Sequence, residues 1–249
     1  RHFHTLLEPY LPAIKQRPDL LVSKGHHRYA IEFQCSRISE EKCHDRSTGF
    51  LNVQITPIWL LKTPATFKKN GLVKLSINHF YQQFMQQQRG QSYLLTYDIE
   101  SQHFYYVSNL MPIHGQQFLG DIQKIPLTQQ IFPFYVPKRL TKHTYKMMLM
   151  RYQAFRNQFL HSRLLLSRKG VNDLFLRSLY ELRLNRNSLP IFLGVPTEGA
   201  AAIALFTVEW QTLLFYFMHS HNLTTQQLNK NALPYFFRWA NIPYSELAG

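Results

Sequence analysis

Arg17-Pro18-Asp19-Leu20-Leu21-Val22, a turn at Ser23-Lys24-Gly25, and then Tyr29-Ala30-Ile31-Glu32-Phe33-Gln34-Cys35 set the architecture of this chain. The first run is short and of β type, and the second alternates strictly. In that alternation Ile31, Phe33 and Cys35 share one face, while Ala30, Glu32 and Gln34 share the other. One strand therefore turns an apolar face to a core and a polar pair elsewhere. Paired as a hairpin, the two runs bring Asp19 close to Glu32.

The flanking sequence extends this unit. Pro9 to Ile14 reads as a short, proline-punctuated strand. Ser39 is a candidate N-cap, with Glu40 and Glu41 in the first turn where the helix dipole favours negative charge. That helix carries Cys43, Arg46 and Phe50 along one side, and Gly49 weakens its end. Pro57-Ile58-Trp59-Leu60-Leu61 reads as a buried strand bounded by Pro57 and Pro64. Strand, turn, strand, helix, strand defines a mixed α/β core. Leu72 to Gln88 reads as an amphipathic helix with Leu75, Phe80 and Phe84 inward and a glutamine-rich end: Gln82, Gln83, Gln86, Gln87 and Gln88. Ser92 to Ile99 and His103 to Ser108 form a hairpin across Glu100-Ser101.

Pro126, Pro133 and Pro137 punctuate a change to sustained helical pattern, so we expect one domain over 1–135 and a second over 136–249. The predicted helices are Thr141 to Leu166, Val171 to Leu184, Thr197 to Ser220, Thr224 to Asn229 and Leu233 to Trp239. Within Gly199 to Met218, Glu209 and Gln211 fall mid-segment. A buried core helix fits that run better than a membrane span, and no membrane association is expected.

Composition narrows the partners. Lys and Arg number 28 against 14 Asp and Glu, a formal charge of +14 with a pI near 9.8. Such a surface attracts polyanions, DNA first among them. Between Val136 and Asn187 twelve cations face only Asp173 and Glu181. Among the cations, Lys138, Arg139, Lys142, Lys146, Arg151, Arg156, Arg163, Arg168 and Lys169 are candidate phosphate contacts. Tyr145, Tyr152, Phe155 and Phe159 lie between them, as core residues or as stacking platforms. Cys35 and Cys43 are too few for a disulfide framework or a zinc site, and both read as structural. Few cysteines and no secretory signal suit a reducing cytoplasmic setting. The chain opens at Arg1 inside structured sequence, so a further N-terminal portion is expected.

Only three acids occur before Ser39: Glu8, Asp19 and Glu32. Each falls at a strand or strand edge. Two converging carboxylates would give Mg²⁺ or Mn²⁺ hard oxygen ligands, and such an ion activates water and stabilises a leaving oxygen. Lys15, Arg17, Arg37 and Arg46 would balance phosphate charge around it. The layout is that of the PD-(D/E)xK nucleases, with Pro18-Asp19 and Glu32-Phe33-Gln34, and with Gln34 in place of the final lysine.

Several blocks in order sharpen this. Gln16-Arg17-Pro18-Asp19-Leu20-Leu21, Ala30-Ile31-Glu32-Phe33-Gln34-Cys35-Ser36, Ile38-Ser39, Arg46 and Ile58-Trp59-Leu60 together resemble the nuclease-like domain of the competence protein CoiA family. The resemblance is dense over Glu8 to Leu61 and thinner beyond. It implies a restriction-endonuclease-like mixed sheet flanked by helices, followed by an all-α C-terminal domain. It also implies a role in natural transformation, where incoming single-stranded DNA is recombined with the recombinase RecA. On the same grounds Asp19 and Glu32 match the metal-binding acids and Gln34 the lysine position. The Phe33 carbonyl would be a further ligand and Glu8 an earlier acid. Gln16, Arg17, Ser36 and Arg46 match family-typical positions without assigned roles. No small-molecule cofactor is expected. Three functions compete at this point: a metal-dependent DNA nuclease, a non-catalytic single-stranded DNA-binding mediator, and a basic module that recruits recombination proteins.

Overall fold

The computed structural model describes residues 3–88, 91–135, 137–167, 170–185, 188–197, 200–229 and 232–243. The chain divides into two compact units. The first comprises 1–73, 77–109 and 120–139, and the second comprises 74–76, 110–119 and 140–249.

In the first unit the leading strands are β1 (His4–Leu7), β2 (Leu20–Lys24) and β3 (His27–Gln34). All three pair antiparallel, with Leu7 opposite Leu20 and Leu20 opposite Ile31. Helix α1 (Glu40–Asn52) follows, and the Ser39 hydroxyl caps it by accepting the Lys42 N–H at 3.3 Å. The chain returns as β4 (Ile55–Lys62), parallel to β3, with Glu32 opposite Trp59. After β5 (Gly71–Ser76), a short helix α2 (His79–Gln82) and β6 (Gln86–Gln88), the hairpin β7 (Gln91–Asp98) and β8 (His103–His114) forms, then β9 (Gln117–Pro126). Strand order is β1-β2-β3-β4-β7-β8-β9-β5, with β6 paired to β7 off this path. Parallel and antiparallel ladders both occur, so the fold is mixed α/β.

Alternation in β3 decides which layer each residue joins. Ala30 packs with Leu21, Ile55 and Phe50 of α1, whereas Ile31 joins Val22, Ile58, Leu60, Leu95 and Tyr106 on the opposite face. Full burial of each such side chain contributes roughly 1.5–3 kcal/mol, so both faces of this strand are fixed.

The second unit holds helices α3 (Lys142–Leu166), α4 (Leu174–Glu181), α5 (Thr207–Ser220) and α6 (Ala232–Trp239). Thr141 caps α3 and Asp173 caps α4 through their side chains. Strand residues 74–76 and 110–119 belong to this unit too, so it is not wholly helical.

Several local readings change: the helix expected over Thr224 to Asn229 is one 3-10 turn, Thr225–Gln227, and that expected over Val171 to Leu184 is helical only over Leu174–Glu181 after a 3-10 turn. Pro9 to Ile14 makes a turn closed by a Leu11–Gln16 bridge, not a strand. Leu72 to Gln88 is strand, one helical turn and strand rather than one helix. Gly71 enters it at φ +81, Leu75 and Ile77 go to the core at a spacing of two, and Asn78 caps the turn by accepting the Tyr81 N–H. The helix expected over Thr197 to Ser220 begins only at Thr207. Before it Ala200–Ala202 forms a 3-10 turn, and Gln211 accepts the N–H groups of Gly194 and Val195 and donates to the Val195 carbonyl, which holds those two residues as a loop. Cys35 is exposed and not buried, while Cys43 is buried. Among the described residues, no helix is long and apolar enough to cross a membrane.

Candidate metal and nucleic-acid site

The strand register aligns the three early acids. One residue beyond the Leu7–Leu20 and Leu20–Ile31 pairs, Glu8 stands opposite Asp19 and Asp19 opposite Glu32. The main chain holds this row: the Glu8 N–H donates to the Asp19 carbonyl at 3.0 Å. The Phe33 N–H donates to Asp19 Oδ2 at 2.7 Å. N–H and C=O of one strand residue lie along the same edge, so the Phe33 carbonyl also faces the Asp19 side.

Glu32 is buried, at 5% exposure. It shares the Ala30 face, where α1 lies, and there meets Arg46, one turn before Phe50. Arg46 Nη2 donates to Glu32 Oε1 at 2.5 Å and to the Arg17 carbonyl at 3.2 Å. Burial raises the Glu32 carboxyl above its ordinary value, Arg46 opposes that rise, and the charge of Asp19 adds to it. Among the described residues, Asp19 Oδ1 and Glu32 Oε2 have no hydrogen-bond partner.

Glu8 is different. Its main chain sits beside Asp19 at φ +45, but its side chain is exposed. Among the described residues no three His, Cys, Asp or Glu side chains gather as a metal cluster. Gln34 turns its amide aside, donating to the Ser36 carbonyl at 2.6 Å. Lys15, Arg17 and Arg37 are exposed and Gln16 is half-buried, its Nε2 3.5 Å from the Asp45 carbonyl.

A family model described as competence protein CoiA, nuclease-like domain, matches residues 1–140. The chain belongs to the CoiA family. Competence protein CoiA of Bacillus subtilis (strain 168) is 27% identical over 218 residues, which is 86% of this chain and 56% of that protein. The chain thus spans little more than half the length of this CoiA relative. No solved structure matches it. Membership ties the chain to competence and makes its first 140 residues a nuclease-like domain of the CoiA type.

The candidate phosphate contacts separate in the structure. Lys138 and Arg139 are exposed in the first unit; Lys142, Lys146 and Arg151 are exposed on α3 in the second. Arg156 and Arg163 are half-buried. Arg163 pairs with Asp173 at 3.2 Å and Glu209 at 3.1 Å, so its charge is already engaged. Arg168 and Lys169 lie outside the described residues. Of the aromatics, Tyr152 is buried and Phe159 stacks on Phe206 at 4.8 Å, while Tyr145 is exposed. Phe155 lies under Lys74 Nζ, 4.9 Å from the ring centroid.

Sequence reasoning named Arg46 but missed its contacts. The signal was its place on the same helix side as Cys43 and Phe50, which implies an inward guanidinium needing a buried acid. The Phe33 amide as a partner of Asp19 left no sequence signal, because backbone donors are the same at every residue.

Proposed function

We propose that this protein is a Mg²⁺- or Mn²⁺-dependent DNA nuclease acting on incoming DNA in natural transformation. The alignment of Asp19 with Glu32, each keeping one carboxylate oxygen unengaged among the described residues, carries this reading. The donor set fits a hard cation: Mg²⁺ commonly binds through one or two carboxylates and leaves its other positions to water and phosphate. Asp19, Glu32 and the Phe33 carbonyl would hold the ion, with Glu8 an outer acid. When bound, the ion supplies positive charge to a phosphate oxygen and acidifies a water.

The protein's own groups set the stage. The Phe33 N–H fixes the Asp19 carboxylate, and Arg46 orients Glu32 and favours its ionised form. Gln34 can hydrogen-bond but carries no charge. Lys15, Arg17 and Arg37 would meet phosphates near the acids. On this reading the first unit is a restriction-endonuclease-like core, and the helices after 140 form a basic DNA-binding domain working in the cytoplasm beside RecA.

A second reading, a non-catalytic single-stranded DNA-binding mediator, is favoured by one observation. The Gln34 amide that replaces the lysine is spent on the Ser36 carbonyl. The two separate by incubating labelled linear single- and double-stranded DNA with and without Mg²⁺ or Mn²⁺. Metal-dependent cleavage that disappears in Asp19→Asn and Glu32→Gln supports the nuclease. Salt-sensitive binding with no cleavage under any ion supports the mediator, and cleavage surviving both substitutions excludes this site.

A further inference from the structure

Among the described residues, strands β4 and β7 pair only at Leu61–Thr96 and Lys62–Tyr97. Further down, β6 takes over the β7 edge, with Gln86 opposite Tyr93. The strands therefore splay, and a cavity of about 550 Å³ opens between them, wholly within the first unit. That volume lies in the roughly 300–1,000 Å³ range of small-ligand sites.

The lining has a definite chemistry. Tyr29 and Phe134, both half-buried, contribute aromatic surface beside the buried Trp59, Phe84 and Tyr93, and among the described residues no Asp, Glu, Lys, Arg or His lines it. An ion is therefore a poor occupant and a flat neutral ring a good one. The glutamines singled out in the sequence surround it. Both polar atoms of the Gln86 amide are engaged: its Nε2 donates to the Trp59 carbonyl at 3.2 Å and its Oε1 accepts the Tyr93 hydroxyl at 3.2 Å. It bridges the splayed strands in place of a backbone ladder. Gln83 donates to the Ile38 carbonyl and keeps its Oε1, and Gln87 is exposed. A carboxamide offers donor and acceptor side by side, the pattern that base edges present.

The cavity also adjoins the acids. Trp59 is the register partner of Glu32, and neighbouring strands lie about 4.8 Å apart. Helix α1 serves both places: Arg46 reaches Glu32, while the next residue, Ser47, accepts the Trp59 indole N–H at 2.9 Å.

We propose that this cavity receives one unpaired nucleobase of the strand whose phosphate lies at Asp19 and Glu32. The proposal rests on the DNA-acting reading above and adds to it a preference for unpaired DNA, since a base that stays paired and stacked in a duplex cannot enter a cavity. The neutral walls keep phosphates outside the cavity.

The test compares binding of a labelled single-stranded oligonucleotide with its fully abasic counterpart, at one salt concentration and in EDTA. Wild type is expected to favour the base-bearing strand by about fivefold to a hundredfold, the range of stacking one base. Gln83→Ala/Gln87→Ala, and separately Met85→Trp to fill the mouth, are expected to bring that ratio down toward one. Affinity for the abasic strand is expected to stay unchanged. An unchanged ratio in both folded variants, or no ratio in wild type, overturns the cavity while leaving the DNA-acting reading intact. Wild type that binds neither strand overturns both.

Discussion

Arg46 Nη2 lies 2.5 Å from Glu32 Oε1 and 3.2 Å from the Arg17 carbonyl, so one guanidinium ties α1 both to β3 and to the segment entering β2. Removing it strands a buried carboxylate beside Asp19. We expect Arg46→Met to destabilise the protein by about 2–3 kcal/mol, the range for lost charged hydrogen bonds in a partly buried pair. Glu32→Gln/Arg46→Met should recover much of that loss, because no charge is then left unpaired. Urea unfolding of the three variants measures it; a double variant no better than Arg46→Met contradicts the pairing argument.

Gly49 of α1 lies against the flexible end of the Gln16 side chain, which would have to move to admit a Cβ. A Cβ there would lie 2.3 Å from Gln16 Nε2. Alanine gains about 1 kcal/mol over glycine inside a helix. We therefore expect Gly49→Ala to raise stability by about that amount in a Gln16→Ala background, and by clearly less with Gln16 present. Equal gains in the two backgrounds would show that the Gln16 amide exerts no constraint.

Asp98, at the end of β7, accepts from the Ser101 hydroxyl and pairs with Lys68 Nζ at 2.9 Å; these contacts hold its carboxyl below the ordinary value. A depressed folded value means that the unfolded chain takes up the proton first as pH falls. Its stabilisation is thus present above the ordinary value of 3.8 and fades as pH drops through the lower folded value. Asp98→Asn should lose about 0.5–1 kcal/mol at neutral pH, the scale of a solvent-screened pair, and progressively less below pH 3.8. Parallel unfolding curves across that range are the measurement, and a loss independent of pH would count against the assigned contacts.

The two thiols should differ in reactivity. Burial pushes the Cys43 thiol up to about 11, while Cys35 is exposed. Only the thiolate attacks. At pH 8 a disulfide reagent should titrate Cys35 quickly and Cys43 roughly a hundredfold more slowly or worse, with both reacting fast in denaturant. Two equally fast thiols in the native protein would refute this.

The exposed cations of α3 should carry salt-sensitive binding. Each phosphate contact on single-stranded DNA contributes about 0.7 to the slope of log affinity against log salt. Lys142→Ala/Lys146→Ala should therefore flatten that slope by about 1.4. Arg163→Ala should instead lower stability, since it leaves Asp173 and Glu209 without that partner. An unchanged slope in the lysine variant would remove this helix face from the interface.

The sequence by itself determined the early core. Alternation in Tyr29 to Cys35, the Ser39 cap and the apolar Ile58-Trp59-Leu60 run are local signals, and local backbone preference with side-chain periodicity is enough to read them. The same signals placed Asp19 and Glu32 on neighbouring strands. Tertiary structure alone decided the rest. Whether Leu72 to Gln88 became helix or strands depended on the sheet edge available to it, and the start of α5 depended on Gln211 holding a loop. The partners of Asp19, Glu32 and Gln34 followed from strand register and from where α1 came to rest. Such contacts join residues far apart in the chain, and one backbone amide or carbonyl carries no sequence mark to distinguish it from the next.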